Sequence, residues 1–231
     1  MGFLMRNRLF TAFVLLFAGV SFVLAQGSSA CFVDYKGGFY EPWLAYGGGT
    51  AWKKGSAITL YIVSPTSGGF TSGQITNIET ALSNWSSSAG SNLQITNSVV
   101  TSAAACLLLG TCSPPYPPQY ILVQFGSVAD CPAGSMACTA ANYNTTTGFP
   151  TYSIINVSTS IGTMALGPLM AHEVGHTYLM ADCPEAQGCS DSLTVMVVPT
   201  DPTGPTSPAC CDLDLIYFVT NPPIQQGAIC K

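Results

Sequence analysis

The sequence predicts a single α+β domain, and three patterns carry that expectation. Short runs of alternating or continuous apolar residues recur at 56–64, 92–100, 120–125 and 151–158, as strands require. Two stretches are instead patterned for helix, one after Thr71 and one opening at Pro168. The 231 residues suffice for one real core, and neither an internal repeat nor a second apolar core interrupts them.

Taken in order, the chain begins with a basic start, Arg6 and Arg8, and an apolar run from Leu9 to Leu24. Val23 and Ala25 are small residues placed as signal cleavage needs, so residues 1–25 read as a signal peptide cut after Ala25. The run is short for a membrane span, and no later apolar stretch is long enough for one. Residues 26–50 are Gly-rich and aromatic and read as an irregular N-terminal segment; residues 51–231 form the domain.

In 56–64, Ile58, Leu60 and Ile62 share one face of a strand. Thr71 and Gln74 have the spacing of a capping box. Behind it Ile75, Ile78, Leu82 and Trp85 recur along about four helical turns, a stripe that core packing explains fully. The Pro-rich 113–119 is a rigid loop, and the continuous apolar run 120–125 suits a central strand. The polar stretch 138–148 reads as an edge strand or a loop. Pro168 fits the first turn of a helix over about 168–181, and 210–218 is a candidate terminal helix.

Charged residues make up only 7% of the chain, and removal of Arg6 and Arg8 takes the formal charge from −5 to −7. The remaining cations are Lys36, Lys53, Lys54 and Lys231, too few and too scattered for nucleic acid or an anionic membrane surface. All ten cysteines follow the cleavage point, and an even number in an exported chain reads as disulfides. Spacing suggests Cys106 with Cys112, Cys131 with Cys138, and Cys183 with Cys189, leaving Cys31, Cys210, Cys211 and Cys230 to tie the ends.

The chemistry concentrates in "HEVGH", which holds both histidines of the chain, His172 and His176. On a helix, residues i and i+4 stack on one face, so the two imidazoles can grip one metal ion. Glu173 lies about 100° around the axis, beside the metal and not on it, where its carboxylate can serve a metal-held water as general base. Zinc is the ion that this motif takes.

From these residues onward the chain resembles the metzincins, zinc endopeptidases with HExxHxxGxxH or HExxHxxGxxD and a downstream Met-turn. His172, Glu173 and His176 match the first part, and Asp182 falls at the third ligand position, ten residues after His172. Met196, in "SLTVMVVP", falls where the Met-turn would be, as a floor beneath the metal and not a ligand. The resemblance spans roughly residues 52–220, but its specific part is 172–196. It implies a twisted, mainly parallel sheet, an active-site helix and a small irregular C-terminal subdomain. One departure is plain: the family's glycine, seven residues after the first histidine, is Leu179. A left-handed conformation there costs leucine about 1–2 kcal/mol. Other residues in reach of the third position are Glu185, Asp191 and the Cys183 thiolate.

The resulting expectation is a secreted, monomeric, disulfide-stapled zinc endopeptidase acting on protein or peptide substrates. The alternative is an exported, non-catalytic binding module, either holding a structural zinc or stapled by disulfides alone. A fourth protein ligand, such as Cys183, would close the site and favour the structural zinc.

Overall fold

The computed structural model describes residues 33–35, 38–40, 51–102, 119–126, 131, 134–183, 194–197, 203–213 and 216. The signal peptide, the 113–118 loop, Glu185 and Asp191 lie outside these residues, as do Cys31, Cys106, Cys112, Cys189 and Cys230. Within them the chain is α+β, with a five-stranded, mostly parallel sheet and two α-helices packed together against it.

The N-terminal segment, read from sequence as irregular, contains an antiparallel pair, β1 (Val33–Tyr35) and β2 (Gly38–Tyr40). The main sheet follows: β3 (Ile58–Val63), β4 (Ile95–Thr101), β5 (Tyr120–Gly126), β6 (Ala137–Tyr143) and β7 (Pro150–Ser158), in the order β4-β3-β5-β7-β6. All neighbours are parallel except β6, which runs antiparallel to β7 at one edge. The continuous apolar run of β5 sits between β3 and β7, and its consecutive Ile121, Leu122 and Val123 are all buried. The open choice between edge strand and loop for 138–148 resolves as a strand to Tyr143, then a turn through Asn144–Gly148. Asn144 shapes that turn, its Oδ1 accepting from the N–H groups of Thr146 and Thr147.

Helix α1 (Ser72–Ser87) starts with the expected capping box, Gln74 N–H donating to Thr71 Oγ1 and Thr71 N–H to Gln74 Oε1. Its Ile78, Leu82 and Trp85 are fully buried against Ile58, Leu60, Ile62, Ile121 and Ile155 of the sheet. Helix α2 (Gly167–His176) packs beside α1 and over β6. The loop that leads into it is tied to α1: Gln74 Nε2 donates to the carbonyls of Gly162 and Met164, and Leu166 N–H donates to Asn77 Oδ1. Trp85 Nε1 donates to Ala171 O, and Trp52 Nε1 to Thr177 Oγ1, so buried indoles hold α2 at its middle and at its C-cap. The core thus fixes the height and rotation of the helix that carries both histidines.

Helix α2 is shorter than the sequence suggested. It ends at His176 and not near residue 181, and the chain then winds down through tighter three-residue steps. Thr177, Tyr178 and Leu179 donate to the carbonyls of Val174, Gly175 and His176. Leu179 has φ 60°, a left-handed conformation that a leucine adopts at a cost of about 1–2 kcal/mol. Among the described residues no helix is long and apolar enough to cross a membrane.

Candidate metal centre

His172 and His176 sit on successive turns of α2, with ring centroids 4.6 Å apart and planes at 88°. Each Nδ1 meets a backbone carbonyl, Val195 O at 2.9 Å for His172 and Met180 O at 2.7 Å for His176. A carbonyl can only accept, so each Nδ1 carries a proton, and in the neutral form of each ring Nε2 is the bare nitrogen, with its lone pair open to a metal. Those two nitrogens lie 3.1 Å apart. Asp182 Oδ1 lies 3.1 Å from one and 3.2 Å from the other.

Three electron-pair donors therefore form a nearly equilateral triangle with no proton of their own between them. Such a convergence is repulsive unless a cation sits against it. Its size suits zinc: ligand distances of about 2.0–2.1 Å in a tetrahedron put neighbouring donors about 3.3 Å apart. The group His172, His176 and Asp182 could hold a metal ion, and no fourth donor joins it among the described residues.

The electrostatics carry the same demand for positive charge. Where a proton takes the place of an ion in the triangle, hydrogen bonds from the histidine ring nitrogens hold the Asp182 carboxyl well below the usual carboxylate range. His176 is raised above the ordinary histidine value: burial lowers it, but the Asp182 hydrogen bond, the Glu173 charge and the other neighbours outweigh that.

Asp182 reaches the triangle because the chain turns at Leu179. On a continued helix it would point about 240° away from His176. Cys183 N–H then donates to Met196 O at 2.8 Å, which ties the ligand strand to the turn beneath α2. Met196 is fully buried. Its sulfur lies so close under Gly175 that an added Cβ would meet Sδ at 2.1 Å. It is thus packed under the helix, one residue from His176. Cys183 is disulfide-bonded and buried, so it has no thiolate to offer a metal.

Glu173 is 3% exposed and lines the same cleft of about 630 Å³, which β6 borders from Ala137 to Ala141. Its Oε2 accepts from Thr139 Oγ1 at 2.6 Å, and its Oε1 has no protein partner among the described residues.

Two features had no signal in the motif. Thr139 was hidden in a polar stretch of open assignment. Asp212, in the helical turn 210–213, is fully buried and organises the Met196 turn. It accepts from Thr194 Oγ1, from Val195 N–H at 3.0 Å and from Ala209 N–H at 2.8 Å. Thr194 Oγ1 in turn accepts from Met196 N–H at 2.9 Å. Because Val195 O orients His172, this buried carboxylate supports a candidate metal ligand through two hydrogen bonds. Of the three cysteine pairs inferred from spacing, Cys131–Cys138 is present, and no described cysteine is free. A comparison with protein-family models and with curated proteins finds no match for the chain.

Proposed function

We propose that the chain is an exported zinc endopeptidase of metzincin-like fold, cleaving protein or peptide substrates as a monomer. The observation that carries this reading is the triangle of bare Nε2, Nε2 and Oδ1 beside a carboxylate that is not part of it. The metzincin comparison draws support from the left-handed exit at Leu179, the arrival of Asp182, and the buried Met196 under α2. The Cys131–Cys138 disulfide agrees with an oxidising destination.

His172, His176 and Asp182 would hold the ion, with Val195 O and Met180 O fixing the ring tautomers. Bound there, zinc supplies Lewis acidity, activating a water and polarising the scissile carbonyl. Glu173 takes the proton from the attacking water and delivers it to the leaving amine nitrogen. Burial of Glu173 at the cleft wall keeps competing solvent from that transfer. The edge strand β6 offers an extended peptide a row of backbone groups along the cleft, a docking mode by strand addition. Three donors, with the cleft left for a water, favour a catalytic over a structural zinc.

The test is cleavage of a peptide library by the zinc-loaded protein, with and without a chelator, beside Glu173→Gln. Chelator-sensitive cleavage is expected. Glu173→Gln should retain zinc and lose roughly 10²–10⁴-fold in kcat, since an amide cannot accept the proton. Zinc-loaded protein that cleaves nothing, or a Glu173→Gln variant at full rate, would overturn the reading.

A further inference from the structure

We infer that Thr139 is the positioning residue for Glu173, so that the cleft's edge strand sets the aim of the base. The inference rests on the peptidase reading for its kinetic meaning, but the contact itself does not. Thr139 Oγ1 stands 2.6 Å from Glu173 Oε2 and 3.0 Å from Glu173 O, bridging the carboxylate and the backbone of one residue. A hydroxyl has one proton, and the ionised oxygen is the stronger acceptor. The hydroxyl therefore donates to Oε2 and pins one carboxylate oxygen to the strand. The other oxygen, Oε1, is left for the cleft.

The pin is rigid at both ends. Strand alternation turns Ala137, Thr139 and Ala141 to the face that meets α2. Thr139 pairs with Ile155, a fully buried residue of β7. Its neighbour Cys138 is stapled to Cys131, which holds the start of the edge strand. A β-branched side chain is stiff at χ1, so the hydroxyl is aimed by the backbone that carries it. Glu173 alone has three side-chain torsions to fix, and reactivity is sensitive to misplacement on the order of 1 Å.

The experiment compares Thr139→Val and Thr139→Ser, each with Glu173 intact and as Glu173→Gln. Thr139→Val should lower kcat about 10–100-fold at nearly constant KM and zinc content, and Thr139→Ser should recover most of it. In the Glu173→Gln background Thr139→Val should cost nothing further, because its effect passes through that carboxylate. A second readout needs no activity. In metal-free protein the ¹³Cδ resonance of Glu173 should move in Thr139→Val and stay near the wild-type position in Thr139→Ser. Equal kcat losses in both backgrounds, a change confined to KM, or an unmoved resonance would overturn the inference. Zinc-loaded wild type without peptidase activity overturns the kinetic role and the peptidase reading together; the resonance then decides the contact alone.

Discussion

Gly175→Ala sets helix propensity against packing, and the structure decides which wins. Alanine is favoured over glycine inside a helix by about 1 kcal/mol, so propensity alone predicts a stabler protein. The new Cβ, however, would lie 2.1 Å from Met196 Sδ, 3.3 Å from Met196 Cε and 3.7 Å from Met180 Sδ. To reach ordinary contact at 3.4 Å the Met196 sulfur must withdraw by about 1.3 Å. Methionine is flexible, but this one is fully buried and its backbone is held by Thr194 Oγ1 and by Cys183 N–H. Overpacking in such places costs about 1–3 kcal/mol. The net expectation is a loss of about 1 kcal/mol, or about 2–4 °C in Tm for a domain of this size. The Met196–Cys183 bond passes the displacement to Asp182, so zinc affinity should fall about tenfold as well. Calorimetry on Gly175→Ala, Met196→Ala and the double variant provides the assay, with a favourable interaction between the two substitutions of about 1 kcal/mol expected. A higher Tm for Gly175→Ala, with strictly additive effects, would refute the close packing of the Met196 turn under α2.

Other expectations follow from the buried carboxylate and the disulfide. Burial pushes the Asp212 carboxyl up to about 6, against the lowering effect of its hydrogen-bond donors and of His172. The unfolded chain titrates near about 3.9, so the folded state binds this proton more tightly. Its contribution to stability is present below about pH 4 and is lost as pH rises through about 6. Asp212→Asn should flatten that slope in denaturant titrations of metal-free protein, and an unchanged slope would remove the assignment. Asp182 and His176 act in other windows, the first as pH falls below the ordinary Asp range and the second as it rises above the ordinary His value. Opening the short Cys131–Cys138 loop, of sequence separation 7, with a Cys131→Ser, Cys138→Ser double variant should cost about 2 kcal/mol in unfolding free energy. No loss of stability would mean that strand pairing alone holds the start of β6.

What could be read in advance follows which interactions use side chains at fixed spacing. The i, i+4 histidines, the Thr71–Gln74 box and the Ile58, Leu60, Ile62 face are written in periodicities that the backbone enforces. The α+β character emerged from similar patterns, whereas the polar stretch 138–148 has no such period and left edge strand and loop open until the pairing of 137–143 with β7 decided it. The early end of α2 was not legible. It depends on His176 Nδ1 reaching Met180 O, a backbone acceptor that any residue would supply. Leu179 pointed against the turn, yet the turn forms. Three consecutive backbone hydrogen bonds and the Cys183–Met196 link outweigh about 1–2 kcal/mol of left-handed strain. Asp212 carried no signal within the candidate terminal helix 210–218; its burial follows from the Met196 turn folding over it, a contact between distant segments. Thr139 was invisible for the same reason, since 34 residues separate it from Glu173.

The claim on which the rest stands is that Asp182 completes a metal triangle with His172 and His176. Zinc affinity, measured by competition with a chelator of known strength, tests it most directly in the wild type, Asp182→Ala, Glu185→Ala and Asp191→Ala. One zinc per chain is expected in the wild type, affinity reduced by at least about 100-fold in Asp182→Ala, and little change in the other two. Full affinity in Asp182→Ala, with loss in Glu185→Ala or Asp191→Ala, would contradict it.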